Sequence, residues 1–336
     1  MKKIIYQLVV SMLFLVVFTS QGVCEEERQK LAQTGFQFLS VISDARAGAM
    51  AGAVNSIEMG SAGLFFNPAT MANMDGFIDV SASMNTWIAD ISHNAFSLAV
   101  RPASGRYGTF GFTIQHVDYG DLFGTIVSDN ELGYEDTEMF SPSALAVGFG
   151  YAMRLSDRFS VGGQIKWVHQ DLGEAVVPHF EYEDSTRTIT NELSPIAFDF
   201  GTVFQTGWKS LAFGMSVKHF SQEIEYEQEG FQLPLVFTMG ISMDLMDVIP
   251  VDGFDQSLYL SVDATHYRAH PEQLLIGLDY RILNLLSIRG GYISNNDEEN
   301  FTFGVGVSQF GIHFDYAYTP FGVFDKVQRM TIRFSL

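Results

Sequence analysis

The chain has 336 residues, 47% of them apolar, with 30 Phe, 13 Tyr and 31 Gly against 9 Pro, and a formal net charge of −20 at pH 7. That length can bury a large core in one or two domains, and an aromatic, glycine-rich, proline-poor composition suits β-structure with tight turns. The negative balance excludes nucleic acid and anionic lipid as electrostatic partners.

Residues 1–24 read as a secretory signal. Lys2 and Lys3 form the charged start, and the apolar run 4–18 falls short of the roughly 20 residues a spanning helix needs. Gly22 and Cys24 permit cleavage before Glu25, which would leave a chain without cysteine and without a disulfide. A lipid-modified Cys24 is the competing reading, but Ser20-Gln21-Gly22-Val23 is a poor lipoprotein site. Beyond residue 24 no stretch approaches the length of an apolar spanning helix, so an exported chain of this kind is periplasmic, extracellular or an outer-membrane barrel.

Residues 25–76 differ in character from the rest of the chain. Leu31, Phe36, Leu39 and Ile42 recur at roughly helical spacing. A run of small residues comes next over 45–54 (ARAGAMAGAV), then Gly60-Ser-Ala-Gly63 and Phe66-Asn67-Pro68-Ala69. Small residues let one backbone pass close to another, which suits a hatch threaded through a confined space. An ordinary helical periplasmic subdomain is the alternative. Asn67, Pro68 and Ala69 are expected where the hatch meets the first strand, with Asn67 holding a turn and Pro68 fixing the backbone after it.

Over 77–336 the chain becomes a series of alternating runs: 77–84, 94–101, 107–117, 143–154, 159–172, 196–208, 211–219, 235–243, 257–266, 273–283, 286–293, 301–308, 312–318 and 327–336. About fourteen strands of this length, an even number, fit an antiparallel transmembrane β-barrel. Alternation alone does not separate a barrel from a soluble sandwich. Connection length does. Connections 102–106, 156–157, 209–210, 284–285 and 309–311 are short, whereas 118–142, 173–195 and 220–234 are long. The long set is acidic, with Glu131, Glu135, Asp136 and Glu138, then Glu181, Glu183 and Asp184, then Glu223, Glu225, Glu227 and Glu229. Short turns on one side and long loops on the other are the habit of outer-membrane barrels. The long connection 244–256 breaks the rule, as a periplasmic excursion or a misplaced strand.

The chain ends on strict alternation, with Met330, Ile332, Phe334 and Leu336 apolar and Arg329, Thr331, Arg333 and Ser335 polar. Such a strand should pair with 77–84 and close the cylinder. Ile332, Phe334 and Leu336 then form the expected recognition end for membrane insertion. The same alternation points Lys166, Asp199, Lys218, Asp263, Asp279, Arg281, Arg289, Asp315 and Arg333 inward, as a polar path, a docking surface for the hatch, or a salt-bridge network filling the lumen.

Little points to chemistry. His266 and His270 stand four apart, but they flank a turn at Pro271, so no metal is expected. Gly-x-Ser-x-Gly, a cysteine nucleophile and a phosphate-binding loop are all missing from the sequence, and the expectation is a non-enzymatic protein without a cofactor. A hydrolase would have to assemble its residues from separate strands.

The small-residue run 45–54 with Phe66-Asn67-Pro68-Ala69 resembles the PorV/PorQ group of FadL-like outer-membrane barrels. So do the segments 278–282 (LDYRI), 288–292 (IRGGY), 303–307 (FGVGV) and 314–322 (FDYAYTPFG), and the resemblance extends over 45–336. The acidic loops and the 244–256 excursion have no match in it. The resemblance implies a fourteen-stranded barrel in the outer membrane with an N-terminal hatch. It implies either of two partner sets. One is secreted proteins bearing C-terminal sorting domains, together with a secretion-pore barrel of the type IX system. The other is small hydrophobic molecules passing through a hatch-gated channel.

Overall fold

The computed structural model describes residues 34–336, apart from 179–185, 227–229, 250–254, 269–270, 297–298 and 325. The expected signal segment with Cys24, and also Leu31, His270, Glu181, Glu183, Asp184, Glu227 and Glu229, lie outside the described residues.

Strands form at β1 (Ile78–Thr86), β2 (Ser92–Val100), β3 (Thr109–Asp118), β4 (Leu122–Val127), β5 (Tyr134–Phe140), β6 (Ser143–Ser156), β7 (Phe159–Pro178), β8 (Thr186–Leu193), β9 (Ile196–Gln205) and β10 (Ala212–Phe220). They continue with β11 (Ile224–Glu225), β12 (Gly230–Phe231), β13 (Val236–Asp244), β14 (Gln256–Tyr267), β15 (Gln273–Ile282), β16 (Leu286–Ile293), β17 (Phe301–Gln309), β18 (Ile312–Pro320) and β19 (Lys326–Ser335). Fourteen of them, β1–β3, β6, β7, β9, β10 and β13–β19, make one antiparallel cylinder, and each corresponds to one of the alternating runs.

Closure is by the terminal strands. Asp79 of β1 sits opposite Ser335 of β19, and the register continues without a break to Thr86 opposite Gln328. The last residue extends the seam, since Leu336 N–H donates to Ile78 O at 2.9 Å. No edge remains at this joint.

The direction of the apolar face decides between barrel and sandwich. In β17, Phe301, Phe303 and Val305 are 56%, 53% and 54% exposed, whereas Thr302 between them is 1% exposed. Large apolar side chains form an outward band round the cylinder, and the inward positions are mostly polar or small, with a few apolar ones such as Val117 and Val168 packed on the hatch. A continuous outward band of that kind needs lipid rather than water.

The connections refine the sequence reading. The first two long loops carry strands of their own: β4 and β5 form a separate hairpin, and β7 runs past the cylinder to pair with β8. The strands flanking connection 244–256 stand where they were expected. Asp244 still pairs with Tyr259, and its side chain caps the 3₁₀ turn Leu245–Asp247 by accepting from Met246 N–H at 2.9 Å. Strand placement there is correct as read.

Inside the cylinder lies the hatch. Its described part begins at Thr34 and has only short helical turns: 3₁₀ segments Gln37–Ser40, Gly60–Phe65 and Pro68–Asn73 and the five-residue helix Ala45–Ala49. A continuous helix through Phe36, Leu39 and Ile42 is not formed, because Phe36 adopts a left-handed backbone (φ 56°) and Val41 is extended. Phe36, Phe38 and Leu39 instead pack on Val117, Ala146, Val168 and Leu233 towards the long-loop end. Tertiary packing has overridden the spacing signal.

Candidate functional site

The feature that could carry function is the joint between hatch and wall. The hatch enters it through the short helix Ala45–Ala49. Asp44 caps that helix by accepting from Ala47 N–H at 2.8 Å, and Gly52 (φ 77°) ends it by donating to Ala47 O at 2.8 Å.

Beyond the helix the hatch backbone presses directly on the wall, and the wall answers with glycines. A Cβ on Gly291 would stand 2.5 Å from Ala51 N, one on Gly277 2.8 Å from Met50 O, and one on Gly162 2.6 Å from Ala69 N. A Cβ on Gly201 would run into Asn67 Oδ1. At Gly162, Gly277 and Gly291 two backbones meet with no side chain between them, and at Gly201 the wall leaves room for the Asn67 amide.

Polar ties fasten the joint. Asn55 N–H donates to Asp263 Oδ2 at 2.9 Å, its amide nitrogen donates to Thr238 O, and its side-chain oxygen accepts from Ser216 Oγ. Ser61 N–H donates to Asp79 Oδ1 at 2.7 Å. Arg329 Nε donates to Ile42 O at 2.7 Å, and Lys218 Nζ donates to Phe65 O at 3.2 Å.

Asn67 and Pro68 are not where the hatch meets the first strand, as expected from sequence. The hatch reaches β1 through 74–77, and Asn67 lies fully buried within the lumen. Its amide nitrogen donates to Asn55 O at 2.8 Å and to Thr202 O at 3.1 Å, while its Oδ1 accepts from Ala69 N–H. It therefore ties two passes of the hatch to β9. Pro68 opens the 3₁₀ segment, where its missing N–H costs nothing.

The inward charges divide into groups. Asp279 takes Arg281 at 2.9 Å, Arg289 at 3.0 Å and Arg46 of the hatch at 3.4 Å, and Arg289 reaches on to Asp315 at 2.6 Å. Lys166 pairs with Asp199 at 2.7 Å and lies 2.8 Å from His219 Nδ1. Asp263 and Lys218 belong to neither group and hold hatch backbone instead. Arg333 stands 3.7 Å from Asp79. Signs alternate from neighbour to neighbour, as in a scaffold rather than a one-sign path. Arg46, Asp79 and His219 do not stand out in the sequence. Alternation along β1 points Asp79 inward, as alternation along β19 does Arg329, but nothing marks Arg46 within its run of small residues.

Of the remaining residues, Ile332, Phe334 and Leu336 face outward on the closing strand. His266 Nδ1 lies 3.0 Å from Glu272 Oε1 at the surface.

A closed fourteen-strand cylinder with an apolar outer band and an N-terminal hatch in its lumen is an outer-membrane β-barrel. A sequence model of the family described as "Type IX secretion system membrane protein PorP/SprF" matches residues 59–321, and the chain belongs to that family. The family matched is PorP/SprF, where the residue motifs had suggested the PorV/PorQ group. Among solved structures, the toluene transporter TbuX of Ralstonia pickettii aligns with a TM-score of 0.58 and 14% identity, covering 86% of this chain and 96% of that one. The toluene transporter TodX of Pseudomonas putida gives 0.57 and 13%, covering 86% and 96%. A FadL homologue of Pseudomonas aeruginosa gives 0.52 and 11%, covering 87% and 98%. A sequence search of curated proteins gives no match. At these identities the likeness speaks for the fold.

Proposed function

We propose that the protein is a non-enzymatic, partner-binding component of type IX secretion, which receives an exported protein or a secretion-pore partner at its outer face. The observation that carries this reading is the β4–β5 hairpin. It stands apart from the cylinder on the long-loop side, which is extracellular in barrels of this type, and it exposes large apolar side chains. Phe123 is 74% exposed, Leu132 72%, Val127 94% and Met139 56%. Grouped apolar exposure outside the lipid band, rimmed by carboxylates such as Glu135 and Asp136, suits a protein interface. A PorV/PorQ-like role, in which the cargo bears a C-terminal sorting domain, is the narrower form of the same reading.

A second reading, a conduit for small hydrophobic molecules, draws on the fold shared with the toluene transporters TbuX and TodX. It is supported less well by the lumen. Two cavities deep beside the hatch, lined by Lys166 and His219 in one and Asp263 and Lys218 in the other, measure about 40 Å³ each, and the larger space of about 560 Å³ at the short-turn mouth is lined by charged side chains rather than apolar ones. A benzene-sized guest occupies a dry apolar cavity of about 150 Å³. The conduit therefore requires the hatch to move.

The test replaces Phe123, Val127 and Leu132 together by Ser in the full chain. Heat-modifiable gel mobility should persist while co-purifying partners are lost and export of proteins with C-terminal sorting domains fails. Unchanged export, with loss of uptake of a small aromatic compound on deletion of the protein, would favour the conduit instead.

A further inference from the structure

We infer that the short-turn mouth of the barrel is a binding site for an acidic peptide segment presented from the periplasm. The observation is a cavity of about 560 Å³ between hatch and wall at that end. Among the described residues five cations line it, Arg46 from the hatch, Arg281 and Arg333 from the wall, and Arg158 and Lys209 from the rim turns, against two carboxylates, Glu58 and Asp157. The described lining is thus cationic by three, and by one once Asp279 and Asp79 directly behind it are counted, in a chain whose net charge is −20. A concave site of one sign focuses field and selects ligands of the other.

The cations are incompletely matched from behind. Arg281 gives both Nε and Nη2 to Asp279, yet its side chain remains 32% exposed, with the ring of Tyr259 5.6 Å beneath it. Arg46 Nε and Arg333 Nε make no hydrogen bond although both atoms are buried. They stand 3.4 Å from Asp279 and 3.7 Å from Asp79. Burial, followed by repulsion from Arg281, lowers the Arg46 guanidinium to about 10, still charged at neutral pH. A carboxylate entering here would relieve that crowding and meet planar donor edges suited to it.

Geometry narrows the class of ligand. Arg281 and Arg333 point into the cylinder while Leu278 and Ile332 on the same two strands point to lipid, so a phospholipid headgroup could reach the site only by leaving the bilayer. A water takes about 30 Å³, so the space exceeds a lone oxyanion several-fold. Cations are spread from the depth of the hatch to the rim, as a run of side-chain carboxylates requires. The site lies at the opposite end from the β4–β5 hairpin, so this inference and the proposed outer-face function fail separately.

The test uses the full chain in detergent and fluorescein-labelled hexaglutamate, read by fluorescence anisotropy. Hexaglutamate should bind, binding should weaken with added NaCl, and Arg158→Glu with Lys209→Glu should weaken it by about tenfold or more. Both residues sit in exposed turns, and retained heat-modifiable mobility checks that the double variant is folded. Equal affinity of wild type and double variant, or equal binding of hexalysine, overturns the site. Displacement by inorganic phosphate at concentrations equal to the peptide overturns the assignment to a peptide and reduces it to a small-oxyanion site.

Discussion

Arg46, on the hatch, holds its Nε 3.4 Å from Oδ2 of Asp279 on the barrel wall, and the same carboxylate takes Arg281 and Arg289. One buried anion thus serves three cations on two parts of the molecule. Removing one partner from a buried ion group costs roughly 3–5 kcal/mol, because the charges left behind have lost their solvation and their counter-ion. Asp279→Asn should lower the temperature at which the folded band converts on a heat-modifiable gel. Adding Arg46→Met should restore part of the loss, since one uncompensated charge is then gone. An unchanged transition temperature in the single variant would remove Asp279 from the joint.

Gly201→Ala tests the close approach of hatch and wall. Its Cβ would collide with Asn67 Oδ1, whereas a Cβ on Gly163 would first meet Asp199 O at an ordinary 3.4 Å. Overpacking of this sort costs about 1–3 kcal/mol. Protease sites in 34–76 should open in Gly201→Ala and stay closed in Gly163→Ala. Identical digestion patterns would mean the hatch does not rest on the glycines.

Asn67→Ala removes two donated hydrogen bonds and a cap from a fully buried position. The orphaned carbonyls of Asn55 and Thr202 should cost about 1–3 kcal/mol. Thermal conversion of the barrel should shift down while the yield of inserted protein is unchanged, because the strands themselves are untouched. Loss of insertion would instead make Asn67 part of assembly.

Deleting 333–336 takes away Arg333, Phe334, Ser335 and Leu336, four residues of the seam opposite 78–81. The exposed edges of β1 and β18 would then lack partners in lipid, where unpaired backbone is not tolerated. The truncated chain should fail to reach the membrane fraction in heat-modifiable form. Normal insertion would show that the end of β19 is dispensable for closure.

Period-two alternation made the fold legible: strands such as β17 and β19 have one chemical character per face, and each was placed from sequence within a few residues. Turn length made the two ends of the barrel legible as well. The hatch was harder to read. Its residues are placed by the surrounding wall rather than by local preference, so helical spacing at Phe36, Leu39 and Ile42 gave way to a 3₁₀ turn and extended chain. Arg46 looked like an isolated charge because its partner is over two hundred residues away. Asn67 looked like a turn residue because its bonds to Asn55 and Thr202 depend on two non-local segments meeting. The β4–β5 hairpin was hidden by its acidic side chains, which read as solvated loop.

The seam also has a kinetic meaning. Its two strands are separated by almost the whole length of the cylinder sequence, so their encounter carries the largest loop-closure cost of any pairing in the barrel. The hatch is covalently next to β1 and is bonded to β19, through Ala45 N–H on Thr331 Oγ1 and Arg329 on Ile42 O. A hatch docked on β19 delivers β1 to its partner. It thereby acts as a tether that shortens the search, so a barrel carrying a loosened hatch should close more slowly even where its final stability is unchanged.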